Sequence, residues 1–377
     1  MNILIDFTQI PLKKVGVGIY AFNLIKCISQ LDNSNKYYIL IQNDENCFNS
    51  IKKENVNYLN VNSNYFRLFS LRIILEQFYI PFLILKYKID ILHSLHYSFP
   101  LISFNAKRIV TIHDLTFFLF PKLHTFFKRY YFRFFTNLAV KFSNEIICVS
   151  NSTKKDLMTF TNVNENKISV IHLGRDEFIP NISREQIVST CYKYNIKSQK
   201  KYILFIGTLE PRKNISTILK AFNSFQKEIL NYQLVIVGGK GWYYDDLFQL
   251  ANSLNSQDIV FTGYIDETEK SIFLAGADFF VYPSLYEGFG VPILEALSFS
   301  LPTITSNLSS MPEVAGDAAL LINPNSEEEM LAAFLKFATD KELRDIIVSK
   351  CKPQVEKFSW RKMTQETINI YNSKFYL

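Results

Sequence analysis

Two glutamates, Glu287 and Glu295, stand eight positions apart in the segment Ser284-Leu-Tyr-Glu-Gly-Phe-Gly-Val-Pro-Ile-Leu-Glu. The run Asp278-Phe-Phe-Val-Tyr-Pro-Ser just before them reads as a buried strand that stops at Pro283. Gly288 and Gly290 permit backbone angles and close approaches that other residues resist. Pro292 suits the first turn of a helix, where a missing N–H costs nothing. Glu287 is therefore expected on a tight loop at the C-terminal end of a strand, and Glu295 about one turn into the next helix. In open α/β sheets that crevice is where ligands bind. Carboxylates accept hydroxyl hydrogen bonds well, so a polyol could be held there by both acids. The plainer alternative is a solvated helix start.

A second group lies in Phe205-Ile-Gly-Thr-Leu-Glu-Pro-Arg-Lys-Asn214. A strand ends, a short loop carries Arg212 and Lys213, and a helix follows. Backbone N–H groups and the helix dipole favour an anion there. Arginine can engage phosphate oxygens through two nitrogens, and lysine acts as a point charge. Cations are disfavoured at a helix start unless an anion is bound, which weighs against an idle surface pair. A third group, Thr111-Ile-His113-Asp114, ends a strand. It reads either as a proton relay, since histidine titrates near neutrality, or as a core histidine beside a capping aspartate. Val15-Gly16-Val-Gly18-Ile-Tyr20 has the glycine spacing of a dinucleotide site, but the preceding strand ends at Asp6 and no acid follows at the ribose position. Gly238-Gly-Lys-Gly241 lacks the spacing of a P-loop.

Strands and helices alternate throughout, the pattern of parallel sheets with crossover helices. Strands are expected near 2–6, 37–42, 56–61, 89–95, 108–113, 145–150 and 168–172. After the turn-rich segment Leu173–Pro180 they resume near 201–207, 233–238, 259–264, 278–283, 302–306 and 319–322. Helices are expected near 17–31, 66–86, 123–143 and 152–160, then near 214–228, 244–254, 267–276, 291–299 and 326–338, with a helical tail from Lys341.

A chain of 377 residues has room for two domains, and 48% hydrophobic with 20% charged residues describes a globular protein. Five cysteines with no Cys-x-x-Cys pair point to reduced thiols in the cytoplasm and away from a zinc site. No signal peptide is visible. Phe78–Leu85 is too short to span a bilayer, contains Pro81, and reads as the end of a buried helix. Residues 1–180 carry 21 Lys/Arg against 13 Asp/Glu, while the remainder is nearly balanced. Lys122, Lys128, Arg129, Arg133 and Lys141 lie among aromatics with no acid between Asp114 and Glu145. This suits an anionic membrane surface, although a helix could bury most of those rings as core. No nucleic-acid-binding module accompanies the patch.

Taken together, these segments resemble the family-four retaining glycosyltransferases, through the Glu-x7-Glu segment with Phe289, Gly290 and Pro292, the Arg212-Lys213 loop and His113, over roughly residues 1–370. The resemblance implies the α/β GT-B fold of two facing Rossmann-like domains, here 1–175 and 176–356, with 357–377 returning to the first as a helix. It implies that Glu287 contacts the transferred sugar, Glu295 the nucleotide ribose, and Arg212 and Lys213 the donor diphosphate. His113 would line the cleft near the sugar, with Asp114 as support. Gly16 and Gly18 would approach the donor phosphate, although Val15 replaces the first glycine of the usual pair. Gly207, Phe289, Gly290 and Val291 fall on the donor side, and Gly263, Tyr264 and Ile265 where the base is held; a buried strand without a ligand role is the alternative for the last three. No Asp-x-Asp pair ends a strand, so neither a metal nor another cofactor is expected.

The segment Glu287–Pro324 resembles mannosyltransferases of bacterial surface polysaccharides. That implies GDP-mannose as donor and a polyprenyl-linked oligosaccharide as acceptor, with the enzyme peripheral on the cytoplasmic face of the plasma membrane. A nucleotide-sugar epimerase of the same fold would share the phosphate site, and a binding-only relative would keep the fold; the intact Glu287, Glu295, Arg212 and Lys213 count against the latter.

Overall fold

The computed structural model describes every residue except 11, 13–15, 176–178, 243, 255 and 374–377. Val15 and the end of the expected last helix therefore lie outside the described residues. The chain forms two compact units. The first joins Met1–Gly174 to Ser359–Leu377, and the second is Arg175–Phe358.

The first unit is built on seven strands: β1 (Asn2–Asp6), β2 (Lys36–Gln42), β3 (Val56–Val61), β4 (Ile91–Ser94), β5 (Lys107–Ile112), β6 (Glu145–Cys148) and β7 (Ile168–Val170). They lie in the order β3-β2-β1-β4-β5-β6-β7, and every neighbouring pair is parallel. Strands covered on both faces must be apolar along their length rather than alternating. Ile3-Leu4-Ile5 and Ile146-Ile147-Cys148 are such runs, each buried. None of the five cysteines is in a disulfide, and Cys148 is plain core.

The C-terminal helix Trp360–Ser373 packs in this unit, against helix Val17–Leu31. A buried hydrogen-bond chain ties it down. The Tyr371 hydroxyl meets His93 Nδ1 at 2.6 Å, His93 Nε2 meets Thr111 Oγ1 at 2.8 Å, and Thr111 Oγ1 meets the Tyr20 hydroxyl at 3.1 Å. The strand leaving the unit and the helix returning to it touch at Gly174. A Cβ there would lie 2.1 Å from the Trp360 nitrogen, a separation no side chain tolerates.

Two surface helices bear on the expectations, the first by departing from a buried helix end. Helix Phe69–Lys86 buries Ile80, Leu83 and Ile84 but leaves Phe78, Phe82 and Leu85 exposed, so the apolar run is only half core. Helix Phe126–Phe142 buries Tyr131 and Phe135 and exposes Phe126, Phe127, Tyr130 and Phe134. Its Arg133 is not a free cation: Nε donates to the Phe117 carbonyl at 2.8 Å and Nη2 to that of Phe118 at 3.3 Å.

The second unit carries β8 (Lys201–Ile206), β9 (Tyr232–Val237), β10 (Ile259–Gly263), β11 (Phe279–Tyr282), β12 (Thr303–Ser306) and β13 (Leu320–Ile322), ordered β10-β9-β8-β11-β12-β13 and parallel throughout. The chain winds outward from β8 to β10 on one side and from β11 to β13 on the other. The order reverses between β8 and β11, which are paired. Loops leaving those two strands must diverge, and the gap is the natural ligand crevice of such a sheet. Helix Arg184–Lys193 also belongs here and has no counterpart in the sequence expectations. Its signal is a capping box in which Ser183 Oγ accepts from Gln186 N and the Gln186 side chain accepts from Ser183 N.

Candidate active site

The Arg212-Lys213 loop leaves β8 and the Glu287 loop leaves β11, so strand adjacency brings together residues 74 positions apart. Pro211–Lys213 forms a single turn of 3-10 helix before helix Ile215–Phe225. Its backbone is pinned to the other loop: Leu285 N donates to the Arg212 carbonyl at 2.8 Å and Ser284 Oγ to the same oxygen at 3.1 Å. Gly290, at φ 109°, turns the second loop into helix Val291–Ser298, a conformation costly for any residue with a Cβ. Ser310 Oγ bridges the Glu287 and Phe289 carbonyls at 2.9 and 2.7 Å, and so fixes the strand-to-helix turn.

At the centre lies the buried Glu287 carboxylate. Oε1 accepts from Lys213 Nζ at 2.5 Å, Ser284 Oγ at 2.6 Å and the Tyr282 hydroxyl at 3.0 Å. Oε2 meets Arg212 Nη1 at 2.9 Å. The Arg212 guanidinium also reaches Glu210 Oε1 through Nη2 at 2.5 Å and donates to the Tyr286 carbonyl. Two cations and two carboxylates thus share one water-poor site and hold one another in place. Burial alone would raise the Glu287 carboxyl, but the charges of Lys213 and Arg212 prevail and bring it down to about 2. Burial draws the Lys213 ammonium below its usual value against the pull of Glu287. The Arg212 guanidinium is held above its own, because Glu287 and Glu210 outweigh its desolvation. The site is a set of oriented donors whose two cations are balanced by two carboxylates.

Glu295 is not part of this cluster. Its Oε1 accepts from Lys270 Nζ at 2.6 Å, and Lys270 also pairs with Glu267 at 2.6 Å. The two glutamates of the motif therefore belong to separate networks on the same loop and helix. Gly207 follows β8 directly, and Gly263, at φ 74°, ends β10. Tyr264 is exposed at that strand end, whereas the Ile265 side chain is buried, which leaves only its backbone for a ligand. Phe289 is buried edge-on to Phe358 with ring centroids 5.6 Å apart, and Val291 is half-buried at the helix start. A Cβ on Gly238 would lie 1.9 Å from the Gly207 carbonyl oxygen, so the loops after β8 and β9 meet through bare backbone.

In the first unit His113 follows β5 and is buried. Its Nε2 donates to the Leu95 carbonyl at 3.0 Å, which leaves Nδ1 as the acceptor of a neutral ring. Burial holds its pKa down at about 4. Asp114 does not orient it: Asp114 Oδ1 accepts from Tyr97, from Thr116 N and from Thr116 Oγ1, so it closes an Asx turn onto Thr116. Gly16, at φ 49°, is the N-cap of helix Val17–Leu31, and Gly18 is buried in its first turn. Sequence reasoning missed Glu210, Tyr282, Ser284, Ser310 and Lys270. The first three lie within five positions of a recognised residue, but nothing in their types separates them from ordinary strand and loop residues. Among the described residues no group of three or more His, Cys, Asp or Glu could hold a metal ion.

Two Rossmann-like parallel sheets, with a buried Arg-Lys-Glu cluster at the switch point of the second, define a glycosyltransferase of the GT-B fold. The chain belongs to the family-four glycosyltransferases: residues 15–177 match the model described as Glycosyltransferase Family 4, and residues 192–352 match Glycosyl transferases group 1. It is 34% identical over 268 residues to the O-antigen chain mannosyltransferase B of Escherichia coli, 70% of each chain. It is 29% identical over 273 residues to the O-antigen chain mannosyltransferase RfbU of Salmonella typhimurium, 72% of this chain and 70% of that one. Among solved structures, Anabaena HepE in complex with UDP and glucose superposes with a TM-score of 0.76 over 98% of this chain and 99% of that one. At 16% identity this bears on the fold alone.

Proposed function

We propose that this glycosyltransferase moves mannose from GDP-mannose, with retention of anomeric configuration, to a hydroxyl of a polyprenyl-linked oligosaccharide. The observation that carries the catalytic reading is the Arg212-Lys213-Glu287 cluster at the β8/β11 switch point. In the reaction the bond between the anomeric carbon and the diphosphate oxygen breaks, the acceptor oxygen bonds to that carbon, and the acceptor proton leaves. Negative charge grows on the departing diphosphate, and Arg212 and Lys213 are the cations to stabilise it. Held in advance by Glu287, Glu210, Tyr282 and Ser284, they need little rearrangement as that charge develops. On this reading the two cations replace a divalent metal, Glu287 faces the sugar, and Glu295, steadied by Lys270, takes the ribose. His113, with a neutral ring and Nδ1 as acceptor, lines the sugar side.

The two O-antigen mannosyltransferases to which the chain is similar support the choice of mannose and of a glycan acceptor. A lipid-linked acceptor calls for a peripheral position on the membrane. Among the described residues no helix is long and apolar enough to cross one, and the basic first half suits an anionic surface.

The test is a screen of nucleotide sugars with and without chelator. Release of nucleotide from GDP-mannose alone, undiminished by chelator and accelerated by a lipid-linked acceptor, is the expected result. Release from a different donor would replace mannose, and interconversion of the sugar with the nucleotide still attached would favour an epimerase.

A further inference from the structure

An amphipathic surface helix ordinarily turns polar residues to solvent. Helix Phe69–Lys86 does the opposite. Its exposed residues include Ile74, Phe78, Phe82 and Leu85, spaced at helical intervals along one face, with Phe78 75% exposed. The helix's one acid, Glu76, is buried and engaged by Arg72 and Ser98. The face continues onto a loop. Gln77 binds it at both ends, donating to the Phe99 carbonyl at 3.1 Å and accepting from Leu101 N at 2.8 Å. Arg108 braces it from below through Ser103 Oγ and the Leu101 carbonyl. This braced loop presents Leu101, Ile102 and Phe104 to solvent. Phe104 in turn lines a shallow depression with Lys107 and Phe142, the last residue of helix Phe126–Phe142.

We infer that this face inserts into the headgroup–acyl boundary of an anionic bilayer. Charge chooses the occupant. Segments 69–86, 101–108 and 126–142 expose Lys86, Lys107, Lys128 and Lys141 but no acid. Lys86 Nζ lies 5.9 Å from the Phe82 ring centroid, and Lys141 Nζ lies 5.1 Å from that of Phe142. Lysines are depleted from the centre of protein interfaces, whereas at a membrane their stems lie along apolar surface while the ammonium reaches the headgroups. The helix is not apolar enough to span, so it lies on the surface. The inference deepens the reading of a lipid-linked acceptor and rests on it for its purpose, but the vesicle measurement does not depend on transfer. It also separates two kinds of lipid contact: the basic residues act only where salt does not screen them, and the rings act at any ionic strength.

The full chain is sedimented with vesicles of phosphatidylcholine, alone or mixed with phosphatidylglycerol, at low and high salt. Binding to the mixed vesicles is expected, with a fraction that survives high salt. Phe78→Ser with Phe82→Ser should weaken that salt-resistant fraction about tenfold or more. Lys107→Gln with Lys141→Gln should weaken only the low-salt fraction. Should the double serine variant misfold, Phe78→Trp answers the question, since its emission should be quenched by lipids brominated on the acyl chains. Indifference of the wild type to mixed vesicles, equal binding by the serine variant, or an unquenched Trp would each overturn the inference. So would self-association in lipid-free solution that the serine substitutions abolish while vesicle binding persists. Transfer to a short soluble acceptor, assayed in parallel, reports on the catalytic reading alone.

Discussion

Glu287 is held by four side chains, so its removal reaches beyond any contact with a sugar. Glu287→Ala would leave Lys213 and Arg212 in a buried site without their shared counter-charge. Breaking a buried pair in this way costs about 3–5 kcal/mol, and a denaturant titration should show that loss. Glu295→Ala should cost less, because Lys270, which it leaves behind, keeps Glu267 as a partner. The same pairing gives a pH dependence. The Glu287 carboxyl is lowered to about 2 in the folded chain, so its contribution is complete above the ordinary carboxylate range and is lost as pH falls toward that value. Arg212 tests the catalytic reading separately. Its guanidinium spans Glu210, Glu287 and the Tyr286 carbonyl, a fork that lysine cannot reproduce. Arg212→Lys keeps the charge and loses the geometry, and should lower turnover by about 10²–10³-fold, the scale of one misplaced transition-state donor. Near-normal turnover in that variant would remove Arg212 from the reaction.

At the scale of the element, the two aromatic-rich helices of the first unit divide roles that composition alone had merged. In helix Phe126–Phe142 the basic residues are not equivalent. Lys128 is exposed, Arg129 lies over the Phe126 and Tyr130 rings, and Arg133 is tied to two carbonyls. Arg133→Gln should therefore lower the melting temperature, by the equivalent of about 1 kcal/mol for each hydrogen bond lost. Lys128→Gln should leave stability unchanged. Equal melting of the two variants would return Arg133 to the free surface. The loop helix Pro211–Lys213 shows the same principle in the second unit: its register comes from hydrogen bonds to the β11 loop, not from its own short turn.

Across the whole molecule, the first unit is sealed by a segment from the far end of the chain. Tyr371 is fully buried, and its hydroxyl ends the chain of bonds through His93 and Thr111 to Tyr20. His93 and His113 are buried in this unit and His96 is half-buried with its Nδ1 out of solvent, and desolvation holds the three at about 3, 4 and 3 against an ordinary 6.5. The unfolded chain takes up protons there that the folded one refuses. The histidines' contribution to the stability of the unit is therefore fully present above about pH 6.5 and falls progressively below it, and it outnumbers the opposite contribution of the buried acid Glu76, which burial raises to about 7. Trp360 is buried in this unit and Trp242 lies in the other, so in a Trp242→Phe background Trp360 fluorescence reports on the first unit alone. Its urea midpoint should be lower at about pH 5 than at about pH 7.5, and His93→Asn should flatten the difference. A midpoint independent of pH would refute the account.

The sequence by itself determined the alternation of thirteen strands with crossover helices, because a parallel strand covered on both faces must be a short apolar run and the turn chemistry between runs is local. It also marked Arg212, Lys213, Glu287 and Glu295, since a loop between a strand end and a helix start is a motif of adjacent residues. Tertiary structure decided which of these meet. Glu287 joins the cations because β8 pairs with β11, whereas Glu295, one turn further along, faces Lys270 instead. It likewise turned Asp114 away from His113 and toward Thr116. Helical spacing shows which residues share a face but not what covers that face. Phe78 and Ile80 are equally apolar in sequence, yet the sheet packs over one and leaves the other in solvent.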